Sequence, residues 1–289
     1  MTGLLRPRLV AALIALATIM GTARADDARP QRLKIGLLPG ESSLTVMRLF
    51  EPLRRQLESK LGMPVELQVG TNYAATGEAL RFGRLDVAYL GAVTYLLQRE
   101  KAQLISFATP RHPKAGAFFE AAIIVPADSP AKTLQDLAGT DIVFGDPAST
   151  SGSWVPRYEL LASGLRAGRD YKAHYLGAHD AVALAVANKK AAAGGISRPV
   201  YNRLLTEEKI DAAKVRVLLP SRPVPEYAWT FRAGLDPAFR QRVAEAFYAI
   251  DDPAVLGIFN ADRFIPSADA DMDPVRVWVG ALRSERAAN

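Results

Sequence analysis

The sequence predicts an α/β protein of two lobes, each a mostly parallel sheet flanked by helices. Three observations predict it. Apolar runs of strand length alternate with stretches of helical periodicity along most of the chain. The alternation is broken twice by Pro-rich segments, at 109–116 and 220–225, and each time it resumes. Roughly 260 residues remain after an N-terminal leader, enough for one large or two modest cores.

In order, the first strand is expected over 33–38 and ends in the turn Pro39-Gly40-Glu41-Ser42-Ser43. A helix over 44–61 follows, with apolar residues at 46, 49, 50, 53, 57 and 61, and Pro52 should kink or split it. Strands over 65–69, 86–90 and 104–108 alternate with helices over 73–82 and 92–101. A long apolar strand spans 118–125. Further strands at 141–145, 172–176, 192–196 and 215–219 are separated by helices starting near 152, 180 and 198. A strand over 226–232 then leads into a mainly helical tail, where Phe239, Val243, Phe247 and Ile250 share one face. The two Pro-rich crossings make the second lobe, 113–219, an insertion into a first lobe built from 32–112 and 220–289.

Residues 1–25 read as an export signal. Arg6 and Arg8 precede a short apolar run over 9–20, and Ala23-Arg24-Ala25 is a small-x-small cleavage site. With that leader set aside, 33 basic side chains face 30 acidic ones, a mild balance that argues against nucleic acid. The chain has no cysteine, so it has no disulfide, no thiol nucleophile, no thiolate metal site and no lipid-anchor cysteine. It also lacks a His-Glu metal motif, a G-x-S-x-G elbow and a Walker loop. Neither an enzyme nor a cofactor or metal is expected; a free periplasmic protein is.

The most informative motif is Ser149-Thr150-Ser151-Gly152, which follows an apolar strand and opens a helix. A helix start leaves N–H groups unpaired at the positive end of the dipole, so hydroxyls there suit an anion. The competing reading is an ordinary N-cap. Four loops follow strand carboxyl ends: Gly40-Glu41-Ser42, Tyr89-Leu90-Gly91, Ser149-Thr150-Ser151 and Gly177-Ala178-His179. In sheets of this kind such loops meet at one cleft. Tyr227 and Trp229 alternate on one strand and could face the same side. Arg198 at a helix start and Lys189-Lys190 at a helix end read as solvated, Tyr95 as core or cleft wall, and His112 and His174 as bland.

The segments Asp86-Val87-Ala88-Tyr89-Leu90-Gly91, Asp146-Pro147-Ala148-Ser149-Thr150-Ser151-Gly152 and Gly177-Ala178-His179-Asp180-Ala181-Val182 together resemble the phosphate/phosphite/phosphonate-binding proteins of ABC importers, over roughly 33–260. The resemblance implies a two-lobed periplasmic binding fold of the second type, binding without chemistry, a membrane ABC permease as partner and a monomer. It implies that Ser149, Thr150 and Ser151 hold an oxyanion, that His179 donates to it better when protonated, and that Tyr89 faces it from the first lobe. Glu41 and Ser42 match a loop bordering the ligand, and Glu226 and Tyr227 lie where the return crossing meets the cleft. An aromatic wall there would suit a P–H or P–CH3 group. Two stretches depart from the family: Ala191-Ala192-Ala193-Gly194-Gly195, where an acid is usual, and Ser197-Arg198-Pro199, where an Arg would repel an ammonium. The expected ligand is therefore phosphite, methylphosphonate or another small phosphonate. The alternative is a sensor subunit presenting the same anion to a membrane kinase or chemoreceptor.

Overall fold

In the computed structural model, which describes residues 28–287, the leader 1–25 lies outside the described residues. Two sets of apolar strands build two sheets. In the first, β1 (Leu33–Leu37), β2 (Val65–Val69) and β3 (Val87–Leu90) run parallel. They are joined by α1 (Ser43–Leu61) and α2 (Tyr73–Arg81), and α3 (Ala92–Arg99) leads on to β4 (Ile105–Arg111). Two strands from late in the chain complete this sheet. β12 (Ala228–Phe231) inserts antiparallel between β3 and β4, and β13 (Arg263–Pro266) adds antiparallel to the outer side of β4. The second sheet is ordered β10-β6-β9-β7-β8, from β6 (Ala121–Pro126), β7 (Asp141–Phe144), β8 (Lys172–Tyr175), β9 (Ala193–Ser197) and β10 (Val215–Pro220). β7 pairs parallel with β8 and β9, whereas β6 pairs antiparallel with β9 and β10. Its helices are α4 (Val155–Ala162), α5 (His179–Ala187) and α6 (Arg198–Thr206).

Both sheets are thus mixed rather than mostly parallel. In each lobe the strand by which the chain enters from the crossing, β12 in the first and β6 in the second, runs against the βα units, and so does β13. Between the sheets, β5 (Phe118–Phe119) and β11 (Val224–Pro225) form a two-stranded antiparallel ribbon. The run 118–125 was expected as one strand, but it breaks at Glu120, where the chain leaves the ribbon for β6. Hydrophobicity does not show that break, because apolar residues flank Glu120 on both sides, Phe118 and Phe119 before it and 121–125 after it.

α1 runs unbroken through Pro52. Val46, Phe50, Leu53, Leu57 and Leu61 form one buried stripe across it, and each such side chain contributes about 1.5–3 kcal/mol. That offsets the roughly 3 kcal/mol cost of a helix-interior proline. The tail is also less helical than its periodicity suggests. α7 (Pro237–Tyr248) and α8 (Pro253–Ile258) precede β13, whose Pro266 is tolerated because the strand is at the sheet edge.

The final helix, α9 (Asp273–Ala287), touches both lobes. Trp278 stacks on Tyr158 of α4 at 5.8 Å, and Arg283 pairs with Glu100 after α3 at 3.0 Å. One buried cluster therefore runs from Leu80 and Tyr95 of the first lobe, through Phe119 and Val224 of the ribbon, to Val155 of the second lobe and Trp278.

Candidate functional site

The loop after β7 is fixed by its own polar groups. The Asp146 carboxylate accepts from Ala148 N–H (2.7 Å), and the Asp146 carbonyl accepts from the Ser153 hydroxyl (2.7 Å). The Ser149 hydroxyl accepts from Gly152 N–H (3.1 Å), and the segment Thr150–Trp154 winds as one π-turn before α4 begins. The small residues expected to alter packing at 191–195 explain how this turn fits. A Cβ on Gly195 would stand 2.8 Å from Pro156 and 2.9 Å from the Gly152 carbonyl, so only glycine lets β9 lie against the turn.

Ser149, Thr150 and Ser151 are fully buried, and their hydroxyls have three different fates. Thr150 Oγ1 accepts from Val93 N–H at the start of α3 (2.9 Å), so its oxygen ties the lobes together instead of facing the cavity. Ser149 caps the π-turn as an acceptor, and its hydroxyl lies beside the phenols of Tyr73 and Tyr227. Ser151 Oγ makes no hydrogen bond of normal geometry with any described residue, although it lies beside the Tyr227 hydroxyl. A buried hydroxyl without a partner costs about 1–3 kcal/mol and calls for an explanation.

Four more polar contacts join the lobes. Tyr73 N–H at the start of α2 donates to Asp146 (3.0 Å), the Thr94 hydroxyl to the Ala148 carbonyl (3.0 Å), and His179 N–H to the Gly40 carbonyl (2.9 Å). The buried Glu41 carboxylate is held by the Arg203 guanidinium of α6. Glu41, expected to border the ligand, lines the cavity between the lobes with its charge already met by Arg203. Ser42, expected beside it, is exposed and caps α1, accepting from Thr45 N–H at 3.2 Å; it does not line the cavity.

Between the lobes lies a cavity of about 160 Å³. His179, Tyr73, Tyr89, Tyr227 and Glu226 contribute to its polar lining, and Leu38, Val46, Leu49, Phe50 and Phe259 to its apolar wall. The phenols of Tyr73 and Tyr227 stand between it and the serines, both interacting with the Ser149 hydroxyl. Tyr89 stacks on Trp229 (4.7 Å between centroids) and meets Tyr227 (5.4 Å) on its other side. Trp229 is fully buried behind that stack and is core. Burial raises the pKa of Tyr227 to about 12, and raises those of Tyr73 and Tyr89. All three phenols therefore remain donors near neutral pH.

His179 is nearly fully buried, and burial followed by the nearby Arg203 charge lowers its pKa to about 4. A pKa that low leaves the ring neutral near pH 7, so the stronger hold expected of a protonated ring would not be available there. Its Nδ1 accepts from Ser197 N–H at 3.4 Å, which leaves the proton on Nε2 as a donor. His112, read as bland from sequence, also faces the cavity. Its Nε2 is 2.6 Å from Glu226 Oε2, a contact that raises its pKa. The other Glu226 oxygen accepts from Tyr227 N–H (2.7 Å) and the Tyr89 hydroxyl (3.3 Å). Arg198 does not reach this cavity; it bonds Asn202 (3.2 Å) with its guanidinium 5.9 Å from the Tyr201 ring.

The arrangement offers neutral donors (Ser149, Ser151, His179 Nε2 and the phenols), two carboxylates already paired, and a wall of apolar rings. Among the described residues, no group of three His, Asp or Glu could hold a metal ion. Sequence reasoning missed Tyr73, Asp146, His112 and Arg203. Only Asp146 carried a local signal, an acid directly before a Ser/Thr-rich turn.

The family model described as the periplasmic substrate-binding protein of phosphonate ABC transporters matches residues 35–272. The phosphonates-binding periplasmic protein of Escherichia coli K12 is 26% identical over 272 residues, covering 91% of this chain and 80% of that protein. The phosphate-import protein PhnD of Mycolicibacterium smegmatis is 28% identical over 281 residues, covering 89% and 88%. Among solved structures, PhnD1 of Prochlorococcus marinus in complex with methylphosphonate superposes with a TM-score of 0.81 at 21% identity, covering 88% of this chain and 99% of that one. That structural likeness is to a type II periplasmic binding fold.

Proposed function

The chain belongs to the family of periplasmic substrate-binding proteins of phosphonate ABC transporters, and from that premise we propose that it captures a small phosphorus oxyanion, with phosphite or methylphosphonate favoured, between its lobes. The observation that carries the reading is the buried Ser151 hydroxyl, with no hydrogen bond of normal geometry, directly behind the Tyr227 phenol that lines the cavity. A modest movement of the Tyr227 phenol opens Ser149 and Ser151 to an anion, which Tyr73, Tyr227 and His179 Nε2 then complete. Each hydrogen bond to the charged oxygens contributes about 1.5–3 kcal/mol.

The apolar wall sets the selectivity. A P–H or P–CH3 group facing Phe50 and Phe259 leaves nothing unpaired. Phosphate would turn a fourth oxygen to that wall, which costs about 1–3 kcal/mol. The preference against an ammonium-bearing ligand does not rest on Arg198, which points elsewhere. It rests on Glu41 and Glu226 being held already by Arg203 and His112. We infer that the protein acts as a monomer, releases the ligand unchanged to the permease, and closes by rotation about the β5–β11 ribbon.

A thermal-shift panel in phosphate-free buffer tests this, with phosphite, methylphosphonate, aminoethylphosphonate, phosphate and sulfate. Ligand at 100 times its Kd adds about 2.7 kcal/mol of stability. A raised midpoint with phosphite or methylphosphonate, lost in a Ser151→Ala/His179→Ala double variant, is the expected result. No shift with any phosphorus oxyanion would sink the reading.

A further inference from the structure

We propose, resting on the oxyanion reading above, that the protein also takes phosphorus anions bearing a flat apolar substituent, and that the substituent lies in a second cavity outside the first. This second cavity has a volume of about 590 Å³. His112, Phe119, Pro199 and Asn260 line both cavities, so the two adjoin at these residues. The smaller one, at 160 Å³, holds little beyond the phosphorus group and its first carbon. The larger falls within the roughly 300–1,000 Å³ of cavities that enclose organic ligands.

The lining decides the class of substituent. Phe118, Phe119, Pro199 and Pro223 present rings and apolar faces. Phe118 is 43% exposed, an aromatic ring left open to solvent on the ribbon where the lobes join. Arg198 and Glu120 also line this cavity with opposite charges. An anionic or cationic tail therefore gains from one and loses to the other, whereas an apolar ring gains the aromatic area without that conflict. Arg198 has no carboxylate partner among the described residues, and a guanidinium plane stacks readily on an aryl ring.

The cavity lies beside the ribbon and not behind the serines. A substituent can occupy it while the Tyr73–Asp146 and Val93–Thr150 contacts that close the lobes stay in place. Phosphonates and phosphate monoesters share this chemistry, so the test carries both.

The experiment is calorimetric titration of the mature protein with methylphosphonate, phenylphosphonate, phenyl phosphate and 3-phosphonopropionate. It is repeated with Ala115→Trp, an exposed position on the rim of the outer cavity, and with Phe118→Ala. Neither residue lines the inner cavity. Phenylphosphonate should bind about tenfold more tightly than methylphosphonate, and 3-phosphonopropionate should show no such gain. Ala115→Trp should erase the phenyl gain and leave the methylphosphonate Kd unchanged. Phenyl phosphate keeping the gain would extend the site to esters, and its losing the gain would confine the site to phosphonates. Phenylphosphonate binding no better than methylphosphonate, or a gain that survives both variants, overturns the proposal. Failure of methylphosphonate, phosphite and phosphate alike would overturn the oxyanion reading together with it.

Discussion

His179 and His112 line the same cavity, and their surroundings shift them in opposite directions. His179, on the second lobe, is buried beside the Arg203 charge, and both effects lower its pKa. His112, on the crossing segment, sits against the Glu226 carboxylate and binds its proton more tightly than usual. The same division runs through both walls. The second lobe offers hydroxyls, a neutral imidazole and a turn locked by its own hydrogen bonds. The hinge wall offers stacked rings and a charge pair already closed on itself. On the proposed reading an anion would meet dipoles on one side and apolar area on the other. With the Arg203 guanidinium already paired to Glu41, the fit of the non-oxygen substituent would then decide selectivity.

The largest effect should come from keeping the walls apart. A Cβ on Gly91 would stand 2.7 Å from the Tyr227 ring and 2.9 Å from Thr150 Oγ1. Gly91→Val should hold the lobes open and weaken oxyanion binding by about a hundredfold or more. Small-angle scattering would show a larger radius of gyration that ligand no longer reduces. Next in size, Ser151→Ala should weaken binding by about 10–100-fold while leaving the melting temperature of the free protein unchanged or slightly raised, since an unpaired buried hydroxyl is removed. A clear loss of stability in the free protein would show that Ser151 is structural.

The histidines give paired pH tests of opposite sign. A pKa lowered to about 4 means that the unfolded chain binds the proton of His179 first, from its ordinary value near 6.5 downward. Stability from this group is complete above pH 6.5 and falls by roughly 3 kcal/mol as the pH drops to 4. His179→Gln should flatten that acid limb in melting curves; an unchanged limb would mean the ring is not buried neutral. For His112 the raised pKa acts the other way. Its contribution is full below pH 6.5 and is lost as the pH rises through the folded value. His112→Gln should remove this limb from the melting curves, and an unchanged limb would mean that the Glu226 contact does not hold the proton.

Much of this was legible in the chain. The βα alternation placed the loops carrying Glu41, Tyr89, Ser149 and His179 at strand ends, and three of those loops meet in one cavity-forming interface because parallel strands send their carboxyl ends the same way. What stayed hidden depends on partners distant in sequence. Arg203 matters only because α6 swings it onto Glu41, 162 residues away, and His112 because Glu226 lies 114 residues further on. Thr150 and Ser151 look alike in a string, yet one reaches across to α3 and the other is left without a partner. Pro52 misled for a related reason, since the stripe that holds α1 together is a property of the sheet it covers.

The placement of β12 also sets an order in which this protein can be assembled. The second sheet draws all its strands from one unbroken stretch, between β6 and β10. The first cannot be finished until residues 228–231 and 263–266 arrive to fill the gap between β3 and β4 and to cover the far side of β4. A chain delivered from its N-terminus therefore has β1, β2 and β3 with an open, apolar edge while the later-synthesised lobe is already able to close on itself. Truncations that remove the tail should aggregate through that edge, and a permutant starting at β6 should leave the second lobe the first to fold.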